Sequence, residues 1–357
     1  MVGCITVHAG EMTAEIISTK TIAQQNGRYM GWPTITRLPD GRLMTAFSGD
    51  RDWHVCPWGK TQAVISGDNG ETWSDIITIN NTPLDDRDAG LLVTAKGTVI
   101  ISWFTSLEFA NQSSPQYETR YFKYDKHSAK LSTQIRDQWL GSWIRRSADN
   151  GKTWGDYIKT PGSSPHGPAQ LKDGRLLYVT NTGVSESKDD GLTWQVIGRI
   201  PADAAKGEEL TEIHAVEAND GTIIALSRHQ GKDGDRYLRQ SESKDGGKTW
   251  TALRKTAMLG YPAHLIKLSS GWLLSTYSRR VAPMGQRACV SKDNGLTWEV
   301  ESEFTLCEAV PQSGADLGYP STVELDDGSL YSVYYQKPAD ADNPAIMATH
   351  WKITSIK

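Results

Sequence analysis

The chain has 357 residues and a formal net charge of -4 at pH 7. This mildly acidic balance provides no basic field for nucleic acid, and no run of apolar residues approaches the length of a transmembrane helix. The composition therefore predicts neither a nucleic-acid partner nor a membrane partner.

Cysteine usage and the first residues give weak information on compartment. Cys4, Cys56, Cys289 and Cys307 lack the C-x-x-C spacing of zinc or redox sites, so free thiols are expected. No metal-ligand spacing occurs among the histidines, and we expect neither a metal nor a cofactor. Residues 1–8 are too short and polar for a secretion signal, which leaves a cytoplasmic protein and a chain trimmed of its signal as alternatives.

Six predicted hairpins follow one another along the chain, each consisting of a short strand, a turn of the Asp-Gly type and a return strand. The first and third span residues 33–47 and 167–179, and the others turn at Lys96-Gly97, Asp220-Gly221, Ser270-Gly271 and Asp327-Gly328. No long stretch has apolar residues spaced at 3.6. The sequence therefore predicts an all-β protein with few helices.

An eight-residue pattern, S-x-D-x-G-x-T-W, occurs five times between these hairpins. The copies are residues 66–73, 147–154, 187–194, 243–250 and 291–298. Such a pattern predicts a tight turn in which the Asp carboxylate accepts backbone N–H groups, Gly takes a positive φ and the Trp ring covers the adjacent strands. We therefore expect the motif to stabilise the fold.

Six hairpins and five turns predict six repeated sheets in a single domain covering residues 1–357. The last hairpin is followed by an apolar run at 346–353 but by no copy of the octapeptide. We expect the N-terminal segment around 14–22 to supply the missing outer strand, which would close the ring and remove its free edges.

The octapeptide resembles the Asp-box, or BNR repeat, of the sialidase superfamily, and the resemblance covers nearly the whole chain. It implies an all-β, six-bladed β-propeller with Asp-box turns. Asp-boxes also occur in propellers that are not enzymes, and they lie away from the chemistry. The functional residues must therefore be sought elsewhere in the blades.

In a four-stranded blade, the residues that enter the first strand and those that join the second strand to the third emerge on one face, around a central funnel. Several arginines and few lysines fall there, which favours an anionic substrate held by two-pronged contacts to a carboxylate. The candidate substrate-binding residues are Arg228, Arg287, Arg51, Arg87, Asp88, His166, His214 and His264.

Three residues match the motifs of retaining sialidases. Glu212 lies eight residues before Asp220 and Arg228 eight residues after it, and Tyr319 opens the last blade. The resemblance implies that Tyr319 is the nucleophile, that Glu212 is its base, and that Arg228 and Arg287 grip the sugar carboxylate. A neutral phenol also suits a 2-keto acid sugar, because the carboxylate at its anomeric carbon would repel a carboxylate nucleophile.

The chain departs from the sialidase pattern in two places. The family's first-blade motif carries an arginine two residues before a proline, a position that Gly31 occupies in the segment Gly31-Trp32-Pro33 of this chain. Arg28 or Arg87 are the candidates to replace that arginine. The acid/base aspartate of the family falls in a stretch where His54 is the candidate.

Three functions remain open on these residues. The first is an exo-acting retaining glycosidase on a terminal acidic sugar such as sialic acid. The second is rhamnosidase-type or lyase-type cleavage of a uronic-acid polysaccharide by His and Tyr, and the third is a non-catalytic carbohydrate-binding propeller. All three predict a glycan partner, and none predicts an oligomeric state.

The longest interruption between predicted strands runs from 105 to 140 in the second blade. This length is unusual for a connection without structure, which favours a functional loop near the funnel. A plain surface insertion is the alternative.

Overall fold

The computed structural model describes residues 12–110, 122–203, 207–229, 234–310 and 314–355. Six four-stranded antiparallel sheets are arranged as the blades of a β-propeller. Helix is confined to short segments between strands. The predicted fold class, a six-bladed all-β propeller, is confirmed.

The first three blades use strands that follow one another along the chain. Blade 1 contains β2 (Tyr29–Arg37), β3 (Leu43–Arg51), β4 (Lys60–Ser66) and β5 (Ile77–Asn80). Blade 2 contains β6 (Asp85–Val93), β7 (Val99–Ser106), β8 (Gly141–Ser147) and β9 (Ile158–Thr160). Blade 3 contains β10 (Ala169–Gln170), β11 (Leu176–Thr180), β12 (Gly183–Ser187) and β13 (Gln195–Gly198).

Blades 4 and 5 repeat this order, whereas blade 6 combines the two ends of the described chain. Blade 4 contains β14 (Thr211–Glu217), β15 (Ile223–Arg228), β16 (Tyr237–Ser243) and β17 (Arg254–Leu259). Blade 5 contains β18 (Ala263–Lys267), β19 (Leu273–Arg279), β20 (Gly285–Ser291) and β21 (Phe304–Glu308). Blade 6 contains β22 (Gly318–Glu324), β23 (Leu330–Gln336), β24 (Ala345–Ser355) and β1 (Met12–Ala23).

The strand β1 forms the outer edge of blade 6. It pairs antiparallel with β24, from Met12 opposite Ser355 to Ala23 opposite Ile346. This pairing satisfies the backbone hydrogen-bonding groups along the outer edge of β24, which would otherwise be available to pair with another chain.

The hydrophobic core lies between blades rather than in one central mass. Between blades 1 and 2, for example, Met44 and Ala63 pack with Leu91 and Ile101. Comparable clusters fill the other five interfaces. Each sheet is thus covered on both faces, which explains why a second strand such as β11 is buried at every position.

The five Asp-boxes share one set of hydrogen bonds. In the first copy, the Asp68 carboxylate accepts from the backbone N–H of Thr72 at 2.9 Å and from its hydroxyl, and Ser66 Oγ accepts from Gly70 N at 2.8 Å. Trp73 then contacts Tyr331 of the neighbouring blade. The Trp side chains therefore join blades, in agreement with the structural role expected for the motif.

Strand register places the Asp-boxes at the end of the blade opposite to the funnel. Ser66, which opens the first Asp-box, pairs with Leu43 directly after the Asp-Gly turn. Tyr29 and Arg51 pair at the other end of the same sheet. Each blade therefore has one set of residues at its turns and a different set at the funnel.

The long interruption in blade 2 is partly helical. It contains a 3-10 helix at Glu108–Ala110, α1 (Phe122–Ser128) and α2 (Thr133–Trp139), while residues 111–121 lie outside the described residues. Phe109, Tyr124 and Leu131 form a small core with Val55 and Leu84. The insertion is therefore packed against the first two blades.

Other sequence-based expectations concern thiols and membrane spans. Cys56, Cys289 and Cys307 are free thiols, and Cys4 lies outside the described residues. Among the helices within the described ranges, none has the length and apolar character that crossing a membrane requires.

Candidate active site

Five of the six blades begin their inner strand with a residue in an unusual backbone conformation. The residues and their φ angles are Trp32 (55°), Asp88 (52°), His166 (71°), Glu212 (48°) and Tyr319 (52°). A positive φ at a non-glycine residue costs about 1–3 kcal/mol and persists only where the surroundings hold it. Such strain is typical of functional sites, and here it turns side chains from separate blades toward one another.

Tyr319 and Glu212 meet across the funnel from blades 6 and 4. The Tyr319 hydroxyl donates to Glu212 Oε1 at 2.5 Å, and Arg228 Nη1 donates to the same oxygen at 2.6 Å. Tyr319 is only 5% exposed, and its burial together with the Glu212 charge raises the pKa of the phenol well above its ordinary value. The phenol is therefore neutral, and its proton points at a carboxylate.

A second arginine, Arg280, lies beside Tyr319. The guanidinium of Arg280 is 5.7 Å from the Tyr319 ring centroid and 5.3 Å from that of Tyr261, over which Arg228 also lies at 4.4 Å. Burial lowers the pKa of Arg280, but Tyr335, Tyr319 and Glu212 outweigh this and raise it overall. Its Nε and Nη2 make no hydrogen bond with the described residues.

Arg287 and Arg51 lie outside this cluster. Arg287 is 2% exposed and donates to the carbonyl oxygens of Pro283 and Gln286, both at 3.1 Å. Arg51 is fully buried and forms a two-pronged pair with Asp85 at 2.6 and 2.8 Å. Both guanidinium groups are thus engaged by protein groups, and the binding of a sugar by Arg287 and Arg51 stays a prediction. Arg287 lies within a third strand, whereas Arg280 follows β19 directly at the funnel end.

Asp88 supplies an acid with a strongly altered pKa. Burial raises the pKa of its carboxyl group to about 7, and Glu212 adds to the increase although the Arg87 charge opposes it. Asp88 Oδ1 and Glu212 Oε2 are both buried and make no hydrogen bond to any residue in the described ranges. Two unpaired acceptors beside Tyr319 are the pattern expected of a site that binds a polar ligand.

His54 is held at the rim beside Trp32. Arg87 Nη2 lies 3.3 Å from its Nε2 and the Tyr29 hydroxyl lies 3.2 Å from its Nδ1. Burial lowers the pKa of the imidazole, and the Arg87 charge lowers it further although Asp316 acts in the opposite direction. His54 is therefore neutral with both ring nitrogens engaged.

Trp32 directly follows Gly31, the position at which the resemblance places an arginine. Its ring packs edge-on with His54 at 4.9 Å and lies under the guanidinium groups of Arg51 at 5.0 Å and Arg87 at 4.7 Å. Arg28, the other replacement considered, is paired with Asp50 and Asp52. The Trp32 ring is only 2% exposed, so it supports the arginine and histidine side chains beside the site.

The three remaining histidines form the floor of the funnel. His214 and His264 stack at 4.6 Å, and the backbone N–H groups of Leu265 and Thr322 donate to their Nδ1 atoms. His166 lies 5.0 Å from His264 and 6.3 Å from the Tyr319 ring.

These imidazoles are neutral because burial lowers the pKa of each, to about 4 for His214. His214 and His264 line a channel of about 240 Å³ that continues along the inner strands. They therefore separate the site from this channel, and His166 alone remains near Tyr319. No cluster of three or more metal-ligating side chains occurs in the described part of the chain.

The residue patterns lead to no role for Arg280 or Asp316, and they indicate Asp88 only as a binding residue. Arg280 directly follows β19 and Asp316 lies two residues before β22, so both lie at the funnel end of a blade and their position was a signal. The burial that raises the pKa of Asp88 cannot be recognised from the sequence.

The chain is similar to several known proteins. A protein named sialidase from Paraclostridium sordellii is 24% identical over 87% of this chain and 82% of its own length. A crystal structure of a protein of unknown function from Dyadobacter fermentans has a TM-score of 0.75 at 22% identity, covering 96% of this chain and 99% of that one. The intramolecular trans-sialidase from Ruminococcus gnavus has a TM-score of 0.64 at 15% identity, covering 92% and 94%.

These structural likenesses show that the fold is the sialidase-type propeller. A family model described as a BNR repeat-like domain matches residues 137–332, from the end of α2 to the sixth blade and more than half of the chain. The chain therefore belongs to the BNR repeat-like domain family.

Proposed function

We propose that the protein is a retaining exo-glycosidase that releases a terminal acidic sugar, such as sialic acid, from a glycan. The observation that carries this proposal is the 2.5 Å hydrogen bond from the Tyr319 hydroxyl to Glu212 Oε1. A buried phenol aimed at a carboxylate is the arrangement that nucleophilic attack by tyrosine needs. The sialidase named among the relatives supports a glycan as the substrate.

In the first step, the Tyr319 oxygen attacks the anomeric carbon and its proton passes to Glu212 Oε1. The bond from the anomeric carbon to the leaving oxygen breaks, and that oxygen takes a proton from an acid. In the second step, water attacks the same carbon, its proton goes to the conjugate base of that acid, and the Tyr319 oxygen leaves with the proton held by Glu212. Two displacements at one carbon retain its configuration.

Asp88 is better suited than His54 to be the acid. A pKa of about 7 leaves Asp88 protonated in a large fraction of molecules at neutral pH, the condition under which a general acid is most effective. The nitrogens of His54 are both occupied by neighbouring groups. We therefore assign proton transfer to Asp88 and a positioning role to His54.

Arg228 and Arg280 would hold the sugar carboxylate. Both lie over the Tyr261 ring, so their guanidinium groups approach the same space beside Tyr319. The unpaired Nε and Nη2 of Arg280 are donors with the geometry for a two-pronged contact. Because Gly31 stands where a third arginine is expected, two arginines would bind the carboxylate here.

Tyr319→Phe tests the proposal because it removes only the reacting oxygen. We expect turnover of an aryl sialoside to fall by at least about 10³-fold, with the melting temperature and inhibitor binding preserved. In the parent protein, a 3-fluoro acidic sugar should leave an adduct on Tyr319 that peptide mass spectrometry detects. Tyr331→Phe is the matched control, because that hydroxyl donates to Gly70 O at the Asp-box end.

Retention of most of the rate by Tyr319→Phe would rule out the nucleophile. An unsaturated product that absorbs in the ultraviolet, formed from a uronic-acid polysaccharide, would favour the lyase alternative. Binding of glycans without any product from sialosides, rhamnosides or uronides would favour the non-catalytic alternative.

A further inference from the structure

A second polar cluster contains Asp316, Tyr29, Tyr335 and His54, and only His54 among these residues has a part in the proposed mechanism. The Asp316 carboxylate accepts from the Tyr29 hydroxyl at 3.0 Å and from the Tyr335 hydroxyl at 2.9 Å, both at Oδ1. His54 Nδ1 lies 3.6 Å from the same oxygen. Three groups thus converge on one oxygen of Asp316.

The donors in this cluster have a fixed direction. Arg87 can only donate, so His54 accepts at Nε2 and carries its proton on Nδ1. The Nδ1 proton is then directed at Tyr29 and Asp316, and the Tyr29 proton at Asp316. The donors of this cluster are all directed toward Asp316 Oδ1, so none of them uses Asp316 Oδ2.

The Asp316 side chain is partly open to solvent. Its side chain is 37% exposed and that of His54 is 31% exposed. Burial raises the pKa of Asp316, but hydrogen bonds from His54, Tyr335 and Tyr29 outweigh this and lower it overall. The group is therefore an ionised carboxylate, which can only accept hydrogen bonds.

The ring of Tyr335 connects the cluster to the nucleophile. The Tyr335 ring is 6.0 Å from the Tyr319 ring and 6.0 Å from the Trp32 ring. The ring of Trp53, 37% exposed, lies 6.1 Å from that of Tyr29. An oriented carboxylate oxygen next to aromatic surfaces suits the hydroxyl groups and apolar faces of a sugar.

We propose that Asp316 Oδ2 accepts a hydrogen bond from a substrate hydroxyl in a subsite beside the exposed ring of Trp53, and that Tyr29, Tyr335 and His54 are the positioning residues of Asp316. The inference rests on the proposed function, because it assumes that a sugar reacts at Tyr319. A carboxylate of the substrate is excluded from this subsite by like charge and belongs beside Arg228 and Arg280. The hydroxyl comes either from the acidic sugar itself or from the leaving sugar.

Asp316→Asn is the decisive variant. An amide keeps an oxygen for the two tyrosines but presents N–H groups outward, so the acceptor becomes a donor while the fold is kept. The first measurement is the calorimetric Kd of 2-deoxy-2,3-didehydro-N-acetylneuraminic acid, which needs no turnover. The second is the KM and kcat for sialyllactose and for an aryl sialoside.

If the hydroxyl belongs to the acidic sugar, we expect Asp316→Asn to weaken binding of the didehydro analogue about 10-fold to 100-fold and to raise KM for both substrates equally. If it belongs to the leaving sugar, only the KM of sialyllactose should rise. Tyr335→Phe should change the same Kd or KM value as Asp316→Asn does, but by a smaller factor. Asp326→Asn, at the Asp-Gly turn on the other face and paired with Arg37, is the control that should change neither.

Unchanged Kd and KM values in Asp316→Asn would overturn the inference, and so would tighter binding, which would mean that the Asp316 charge only repels the acidic ligand. A parent protein that binds no acidic sugar would also overturn it. Failure of the proposed mechanism has a different signature, because Tyr319→Phe would then retain its rate while binding of the analogue still depended on Asp316.

Discussion

The two ends of the blades differ in how their residues repeat and in how their polar groups are hydrogen-bonded. At the Asp-box end, five turns carry the same residues, and their Ser, Asp and Thr groups are hydrogen-bonded to one another. At the funnel end, the strained positions carry five different residues, and acceptors on Asp88 and Glu212 have no partner within the described residues. The repeated turns stabilise the fold, whereas the residues that differ between blades are available for binding and chemistry.

The carboxylates show the same contrast. Hydrogen bonds from Thr72 and Ser66 lower the pKa of Asp68 to about 2, whereas burial without such partners raises that of Asp88 to about 7. An aspartate in a completed turn is fixed in its ionised form. One in the funnel can exchange a proton near neutral pH, which a general acid must do.

Trp250→Ala should produce the largest loss of stability. Trp250 packs with Leu177 and Ile213 between blades 3 and 4, and its Nε1 donates to Gly247 O at 2.9 Å. We expect the free energy of unfolding to fall by about 3–5 kcal/mol, measured by urea denaturation.

The exposed Leu296, in the turn of blade 5, supplies the control for that substitution. Leu296→Ala should change stability by less than about 0.5 kcal/mol. A variant of Trp250 with lost activity and an unchanged melting temperature would contradict the division between the two ends.

Asp88→Asn should reduce turnover rather than stability. Without its acid, the protein should lose about 10²-fold or more in kcat on sialyllactose, and much less on an aryl sialoside, whose leaving oxygen needs no proton. The decline of kcat/KM at high pH, expected near pH 7 in the parent, should disappear. Equal losses of kcat on both substrates would show that Asp88 is not the general acid. A decline of kcat/KM near pH 7 that persists in the variant would show the same.

Arg228→Lys should weaken substrate binding by about 10-fold to 100-fold in KM. A lysine keeps the charge but cannot make the two-pronged contact of a guanidinium. Arg287→Lys is the matched variant from the next blade, and its KM should stay near that of the parent. A larger effect at Arg287 than at Arg228 would show that the carboxylate lies elsewhere.

The smallest effect concerns the dependence of stability on pH. Asp68, Asp149 and Asp245 have pKa values lowered to about 2 by their Thr and Ser partners. Since a lowered pKa favours the folded state only while the group is ionised, this stabilisation is present above about pH 4 and is lost as pH falls toward 2.

Asp88 acts in the opposite sense, because its pKa is raised. Its contribution favours the folded state at low pH and is lost as pH rises through about 7. Urea midpoints across pH 2.5 to 8 measure both trends, and Asp88→Asn should flatten only the neutral part of the curve. A neutral slope that survives this substitution would mean that Asp88 titrates normally.

The repeated end was predictable in detail, because its chemistry is local. Five octapeptides and six hairpins, four of them with an Asp-Gly turn, define the blades, and each Asp-box turn is complete within eight residues. The same frame locates Glu212 and Arg228 by their distance from Asp220, and Tyr319 by the start of blade 6. Their contact in the structure follows from the convergence of inner strands on one axis.

The remaining parts of the site depend on distances that the sequence does not contain. Arg280 approaches Tyr319 because it directly follows β19 at the funnel end, whereas the resemblance to sialidases indicated Arg287. The raised pKa of Asp88 comes mainly from burial. The contact between Tyr29 and Asp316 joins residues 287 positions apart.

The pairing of β1 with β24 has a consequence for biosynthesis. During translation, β1 emerges before every other described strand, yet its only sheet neighbour is the last of them. Until β24 has left the ribosome, the backbone of β1 remains an unpaired template, and the blades made in between form an open arc. Ring closure therefore depends on the most distant contact in the chain, which is the kind that forms slowly. We expect chaperone capture of nascent chains that stop before β24.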